Sequence, residues 1–369
     1  MTKKIITFFK KDIVLTISFF LAILSCTIVP ISLEYLDYID FKTLVLLFSL
    51  MIIIEGFREE NLFQYIGNEI LKKVNSKRGI IFTLVFLCFL SSMFITNDVA
   101  LITFVPFGIM ILETIGLTNS LCLTITLMTI AANLGSMFTP IGNPQNLYLF
   151  SMSSLSFKDF LELMFPYILI AAILLIVFIF FGYNKSNFKV ELKTSNINNK
   201  RLIYFYSILF ILCLLTVIGI INYIILFAIV FISILIKNKE LLRKADYSLL
   251  LTFLFFFIFV GNINHIDSFH KFIINILANN EKMFSILLSQ AISNVPAAML
   301  LSSYTNNIND LIIGTNIGGL GTLIASMASL ISYKQLCTKY PNLKNKYLSI
   351  FTLCNIAFLL IYIIQISLS

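Results

Sequence analysis

Two kinds of short polar motif interrupt apolar stretches, and each kind occurs twice along the 369 residues. "FITNDVA" (94–100) carries Thr96, Asn97 and Asp98, while "AISNVPA" (291–297) carries Ser293, Asn294 and Pro296. Downstream of the first lies "NLGSMFTPIGN" (133–143), and downstream of the second "NIGGLGTLIAS" (316–326). Aligned, Thr96 matches Ser293, Asn97 matches Asn294 and Asn133 matches Asn316. Further along, Gly135 matches Gly318, Thr139 matches Thr322, Gly142 matches Ala325 and Asn143 matches Ser326.

These residue types can bind small ions. Asn and Thr present neutral oxygens suited to a hard cation such as sodium. Pro140 and Pro144 forbid a continuous helix through 135–146, which would cost several kcal/mol. A break leaves two half-helices, whose positive N-terminal end can face an anion and whose free C-terminal carbonyls can ligate a cation. Glycine amides can approach a substrate closely because no Cβ intervenes. Gly318, Gly319 and Gly321 equally suit a close-packed helix face. Asp98 is the only charged residue between Gly79 and Leu112. A carboxylate at a membrane helix centre costs roughly 2.5–3.5 kcal/mol on insertion scales and signals function. It can ligate a cation, carry a proton or orient the tip, and it can also cap the helix beginning near Val99.

The elements that must position these groups are membrane helices. Hydrophobic residues make up 59% and charged residues 12%, with mean hydropathy +0.96; soluble chains carry roughly 25% charged residues. Runs such as "FPYILIAAILLIVFIFF" approach the ~20 residues of a spanning helix. The net charge is +8, and the basic residues are concentrated in clusters at Lys3–Lys11, Arg58–Arg78, Lys185–Arg201, Lys237–Lys244 and Lys334–Lys346, which hold 22 of the 26. Such clustering marks cytoplasmic loops and gives no reason to expect nucleic acid. The six cysteines lack metal-ligand spacing, no H-E-x-x-H pattern occurs, and an intramembrane aspartyl protease would need a second central carboxylate. His265 and His270 fall in a segment expected outside. No enzyme is expected.

Charge then sets a topology. Spans are expected at about 13–30 and 41–57, followed by an apolar pair at 79–95 and 99–112 turning at Thr96–Asp98. The pair reads as a re-entrant hairpin, although "ETIGLTNS" contains no basic residue and charge does not exclude two full crossings. An interrupted helix over 121–150, a span at 161–182 and a cytoplasmic linker at 184–201 complete the first half. Spans follow at 202–218, 223–236 and 247–262, then a second hairpin over 283–304, an interrupted helix over 309–333 and a last span at 347–366. The expectation is an all-α polytopic membrane protein with about nine spans, its N-terminus cytoplasmic. Residues 1–183 form a first repeat, 184–201 the linker, 202–222 an extra span with a short outer loop, and 223–369 a second repeat. The halves cross in opposite directions, as inverted repeats with interrupted helices do in secondary transporters.

The tips and the "TPIGNPQN" and "GTLIAS" loops resemble the ion transporter superfamily of citrate-transporter-like permeases, over nearly the whole chain. That superfamily includes sodium–dicarboxylate symporters, arsenite permeases and a group of sodium/proton antiporters. In the dicarboxylate branch a Ser-Asn-Thr tip in each half binds sodium and substrate. The resemblance implies sodium ligands at Thr96, Asn97 and Gly142 in one site, and at Ser293, Asn294 and Ala325 in the other. Asp98 and Val295 replace the third tip residue, so hydroxyls that would meet a dicarboxylate are missing. The Asn-Asp tip is more similar to the arsenite-permease branch. The resemblance also implies a homodimer in which 79–183 and 283–366 move against a scaffold of the first two spans and 202–262. The function expected is secondary active transport of a small anion or oxyanion, coupled to sodium or protons by elevator-type alternating access. The alternative is a sodium/proton antiporter using Asp98. A multi-pass position in the plasma membrane is expected, with no cofactor beyond a coupling sodium ion.

Overall fold

Asn and Ser side chains cap seven of the described helices, and further helix ends fall at the polar motifs. A computed structural model of the chain describes residues 13–184, 186, 196–277 and 280–368. The Lys3–Lys11 cluster and most of the expected linker lie outside the described residues. Seventeen α-helices occur, with no strand among the described residues.

In the first half α1 (Ile13–Ser25) and α2 (Phe41–Glu59) are followed by α3 (Leu62–Leu71). Next come α4 (Lys77–Ile95) and α5 (Asn97–Thr114), then α6 (Leu121–Ser136), α7 (Pro144–Met152) and α8 (Phe157–Gly182). After α9 (Lys200–Val217) the same order returns: α10 (Tyr223–Asn238), α11 (Tyr247–Ile263) and α12 (Asp267–Leu277). The remaining elements are α13 (Glu281–Ile292), α14 (Asn294–Ser302), α15 (Ile308–Ile317), α16 (Met327–Lys339) and α17 (Lys344–Leu368).

The expected interrupted helices are α6–α7 and α15–α16. The two prolines of the first break have different roles. Pro140 lies in the irregular segment, whereas Pro144 is the first residue of α7, capped by Asn143, whose Oδ1 accepts from Asn146 N at 2.9 Å. At that position the missing proline N–H would have had no helical partner. Pro296 sits in the first turn of α14 for the same reason.

α4, α5, α8, α9 and α17 are long and apolar enough to cross a membrane, and α11 with α12 makes a sixth path if that pair, bent by 104°, is one span. The other expected crossings fall on α1 (13 residues), α10 (16 residues), the charge-ended α2 and the two broken helices. Both arms of the first hairpin are full length, 19 and 18 residues, or about 27–29 Å at 1.5 Å per residue. Two elements were not anticipated from the sequence. α3 falls in what reads as a basic loop and α12 in what reads as an external segment, and each immediately precedes a hairpin. Apolar Ile66 and Ile70 on α3, and Phe272 and Ile274 on α12, remain exposed. Short amphipathic helices of this kind lie along a membrane interface.

Burial is uneven in a way that identifies the solvent. Nearly every residue of α6 is buried, while α8, α9, α10 and α17 expose Phe181, Ile208, Ile236 and Leu353 along apolar faces. Large apolar surfaces of that extent need lipid to cover them. The chain is a polytopic all-α membrane protein.

The contacts run crosswise. α4 packs on α6 and α13 on α15, whereas α5 meets α16 and α14 meets α7. Two glycines allow the first pair of contacts. A Cβ at Gly135 would stand 2.1 Å from the Phe89 carbonyl oxygen, and one at Gly318 would stand 2.6 Å from the Ser289 hydroxyl. Outside this unit, α9 and α10 pack on α2, and α11 packs on α1.

Candidate functional site: two hairpin tips seated on two helix breaks

At each tip the chain turns through one residue of positive φ. Thr96 has φ 66° and ψ 151°, and Ser293 has φ 76° and ψ 154°. Such conformations are costly for non-glycine residues and persist only where surroundings enforce them. The enforcement is the same in both halves. Asn97 N donates to the Gly142 carbonyl at 3.1 Å, and Asn294 N donates to the Ala325 carbonyl at 3.0 Å. The side chains then turn back onto the helices they begin. Asn97 Oδ1 accepts from Asp98 N at 2.9 Å, and Asn294 Oδ1 accepts from Val295 N at 3.0 Å.

Threonines fasten the other edge of each break. Thr139 Oγ1 donates to the Met93 carbonyl at 2.5 Å, and Thr322 Oγ1 donates to the Gln290 carbonyl at 3.3 Å. Met93 and Gln290 occupy equivalent positions, three residues before each tip. Gly142 closes the first break so tightly that a Cβ would lie 2.0 Å from the Ser136 carbonyl oxygen. Gly319 lies under the Asn294 amide, and a Cβ there would be 3.1 Å from Nδ2.

The breaks also hold each other. Asn133 Oδ1 accepts from Ser326 Oγ at 3.0 Å and from Asn97 Nδ2 at 3.2 Å. Its Nδ2 donates to Ser329 Oγ at 3.4 Å. In return, Asn316 Oδ1 accepts from Asn143 Nδ2 at 2.9 Å, and Asn316 Nδ2 donates to Asn146 Oδ1 at 2.5 Å. The Asn of each half thus bonds the loop end and first helical turn of the other half. All of these side chains are almost fully enclosed; Asn133 is 5% exposed, Asn143 1% and Ser329 0%. Buried polar networks are stable only when fully paired, and this one leaves few donors or acceptors over.

Three contributors were not identified from sequence. Asn146 donates through Nδ2 to the carbonyls of Ser136, Met137 and Thr139 at 3.4, 3.3 and 3.2 Å. Gln290 donates through Nε2 to the carbonyls of Gly318 and Leu320 at 2.8 and 2.9 Å, and its Oε1 accepts from Thr322 N at 2.9 Å. Ser329 completes the partners of Asn133. Asn146 ends the "TPIGNPQN" loop, where it is one of several amides and nothing local sets it apart. A lone amide at 290, inside an apolar run ahead of a tip, was the available signal for the second.

Asp98 differs from everything around it. Its Oδ1 is buried without a hydrogen-bond partner among the described residues. The residue lines a cleft of about 120 Å³ together with Thr96 and Pro144. The opposite wall is α2, through Met51 and Ile54, and the cleft's charged rim is Glu55, Arg58, Lys244 and Asp246. Arg58 pairs with Glu55 at 3.2 Å, and Lys244 pairs with Glu59. No Lys or Arg lies in either tip or either break, so an anion here would meet amides and the N-termini of α5, α7, α14 and α16, which begin at these motifs.

Paired hairpins seated on paired broken helices define a membrane permease. The sequence matches the citrate transporter family over residues 4–310. The chain belongs to that family, and so is a citrate-transporter-like permease and a multi-pass membrane transporter. It is 36% identical over 302 residues to an uncharacterized transporter of Methanocaldococcus jannaschii, covering 82% of each chain. It is 30% identical over 302 residues to the inner membrane protein YbiR of Escherichia coli, covering 80% of each. A shorter likeness, 32% identity over 123 residues, links it to the P protein of Mus musculus, covering 32% of this chain and 14% of the mouse protein.

Proposed function

We propose that the protein is a secondary active transporter of a small anion or oxyanion in the plasma membrane, working by alternating access. The observation that carries this reading is the pair of matched tip–break junctions, which place helix N-termini and uncharged amides at one buried locus. In the proposed arrangement the two halves are inverted in the membrane, and α4–α8 with α13–α17 form the moving unit. α1, α2 and α9–α11 form its scaffold, and two copies associate through it. The gradient that drives transport is one of sodium or protons.

The two ends of the cleft between these units support an inward-facing state. On the side assigned outside, Ser151 of α7 donates to Asp40 at 2.5 Å and lies 3.0 Å from the Thr43 hydroxyl of α2. On the cytoplasmic side, the cleft beside Asp98 extends to Arg58 and Lys244. The reconstituted protein is expected to take up one member of a panel of oxyanions and short carboxylates under an imposed sodium or pH gradient. Substrate-independent exchange of sodium for protons would instead favour antiport through Asp98, the reading suggested by its unpartnered oxygen.

A further inference from the structure

A helix that stops inside a membrane leaves its last carbonyls without N–H partners, and in lipid each such group costs several kcal/mol unless something pairs with it. A bound cation is one solution. A side-chain NH2 group, which carries partial positive charge and two donors, is another. Both breaks here contain the second solution. In the first, the Asn146 amide nitrogen lies among the carbonyls of Ser136, Met137 and Thr139. In the second, the Gln290 amide nitrogen lies among those of Gly318 and Leu320 and also reaches the Ile286 carbonyl at 3.2 Å.

The two amides come from unrelated places. Asn146 follows its break, in the first turn of α7, whereas Gln290 precedes the tip, near the end of α13. The position equivalent to Gln290 in the first half is Met93, and the one equivalent to Asn146 in the second is Ser329. A shared ancestral residue therefore does not account for the pairing. What the breaks have in common is a cluster of freed carbonyls, and each cluster has an amide in it.

The oxygens that the family resemblance marks for sodium are engaged as well. The Gly142 carbonyl accepts from Asn97 N, and the Ala325 carbonyl accepts from Asn294 N and, at 3.4 Å, from the Ser293 hydroxyl. The Thr96 and Ser293 carbonyls accept from Ala100 N and Ala297 N. Asn97 Oδ1 and Asn294 Oδ1 accept from the next residue's amide. A hard cation needs several oxygens turned toward it. Each carbonyl here keeps a second lone pair, but with a donor hydrogen already bonded to every one of them this donor-rich set makes a poor cation cage.

We infer that Asn146 and Gln290 are resident substitutes for cations in the two helix breaks, so that this permease works without a sodium ion at either junction. The inference rests on the transporter reading and decides its coupling ion at these junctions. It also assigns a role to two positions: they hold the breaks in shape through the loop carbonyls and set which ion the site takes.

The test is thermal unfolding of the purified full-length protein in sodium, potassium or choline chloride at equal ionic strength. Wild type is expected to melt at the same temperature in all three salts. Gln290→Glu and Asn146→Asp put an acceptor and a negative charge where a donor stood. Each is expected to be less stable in choline and to gain about 3 °C or more with sodium. A sodium-specific rise of that size in wild type overturns the inference. So does a folded Gln290→Glu protein that responds to no cation. If neither variant folds, radioactive sodium binding to wild type decides: no saturable binding supports the inference, and saturable binding overturns it. Because none of these readouts requires a substrate, they are independent of the transport reading. Sodium-driven anion uptake with a sodium-stabilised wild type would sustain that reading while removing this one. A sodium-insensitive protein that moves no anion would do the reverse.

Discussion

At the scale of single residues, the tips store strain and the Asp98 carboxylate stands apart from a network that is otherwise paired. Thr96 is β-branched yet holds φ 66°, a conformation costing of order 1–3 kcal/mol that glycine adopts freely. Thr96→Gly is therefore expected to stabilise the protein by about 1 kcal/mol after glycine's extra chain entropy, seen as a higher melting temperature. The same change should slow transport by freeing the tip. Asp98→Asn keeps the shape of the side chain and removes its charge. Gradient-driven uptake is expected to be lost while the size-exclusion profile and melting temperature hold; uptake equal to wild type would remove Asp98 from coupling. The polar residues chosen on sequence grounds divide in the structure. Asn97, Asn133, Asn294 and Asn316 hold tips and breaks together, while Thr139 and Thr322 are fasteners between break and hairpin.

At the scale of elements, close helix packing positions each break. α4 against α6, and α13 against α15, approach through Gly135 and Gly318, but the two contacts are not equally tolerant. The atom nearest a Cβ at Gly135 is the backbone oxygen of Phe89, whereas at Gly318 it is the Ser289 hydroxyl. The Ser289 hydroxyl can turn away, but the Ser289 Cβ at 2.7 Å and the Gly314 carbonyl oxygen at 2.9 Å are fixed, so the relief is partial. Gly135→Ala is expected to cost about 1–3 kcal/mol or to prevent folding, and Gly318→Ala less, because its fixed contacts overlap less than the 2.1 Å contact at Gly135. Melting temperatures of the two variants in one detergent provide the check, and equal losses would mean that α13 is as rigid as α4. The helix α3 shows where periodicity failed as a guide. Its apolar residues sit between charged ones in a segment too short and too polar to suggest a span, so only packing beside the hairpin reveals a helix there.

At the scale of the whole molecule, the contact expected to change during transport is the one between α2 and α7. Ser151 of α7 bonds both Asp40 and Thr43 at the N-terminal end of α2, and an elevator movement would have to break it. Ser151→Ala is expected to cost about 1 kcal/mol of stability and to raise the rate of substrate exchange in proteoliposomes, since the tie holds one end state. A slower exchange would indicate instead that the tie forms part of the path. The ion pairs at the opposite end, Lys244 with Glu59 and Arg58 with Glu55, are partly exposed and contribute little stability by themselves.

Much of this was legible in the sequence because membranes impose severe rules. Long apolar runs have to be helices, prolines and clustered amides have to break them, and two matched pairs of motifs have to be treated alike by the same physics. That reasoning located both tips and both breaks. It left the length of the hairpin arms open and did not find α3 or α12. The partners of the polar groups were decided by tertiary structure alone. Asn133 meets Ser326 and Ser329 across nearly two hundred residues, and Gln290 reaches the carbonyls of a break that follows it. No local pattern specifies such pairings, because a freed carbonyl accepts any donor that packing brings near. Sequence alone showed that polar motifs interrupt the apolar stretches; the fold determined that side-chain amides of the protein itself occupy the breaks.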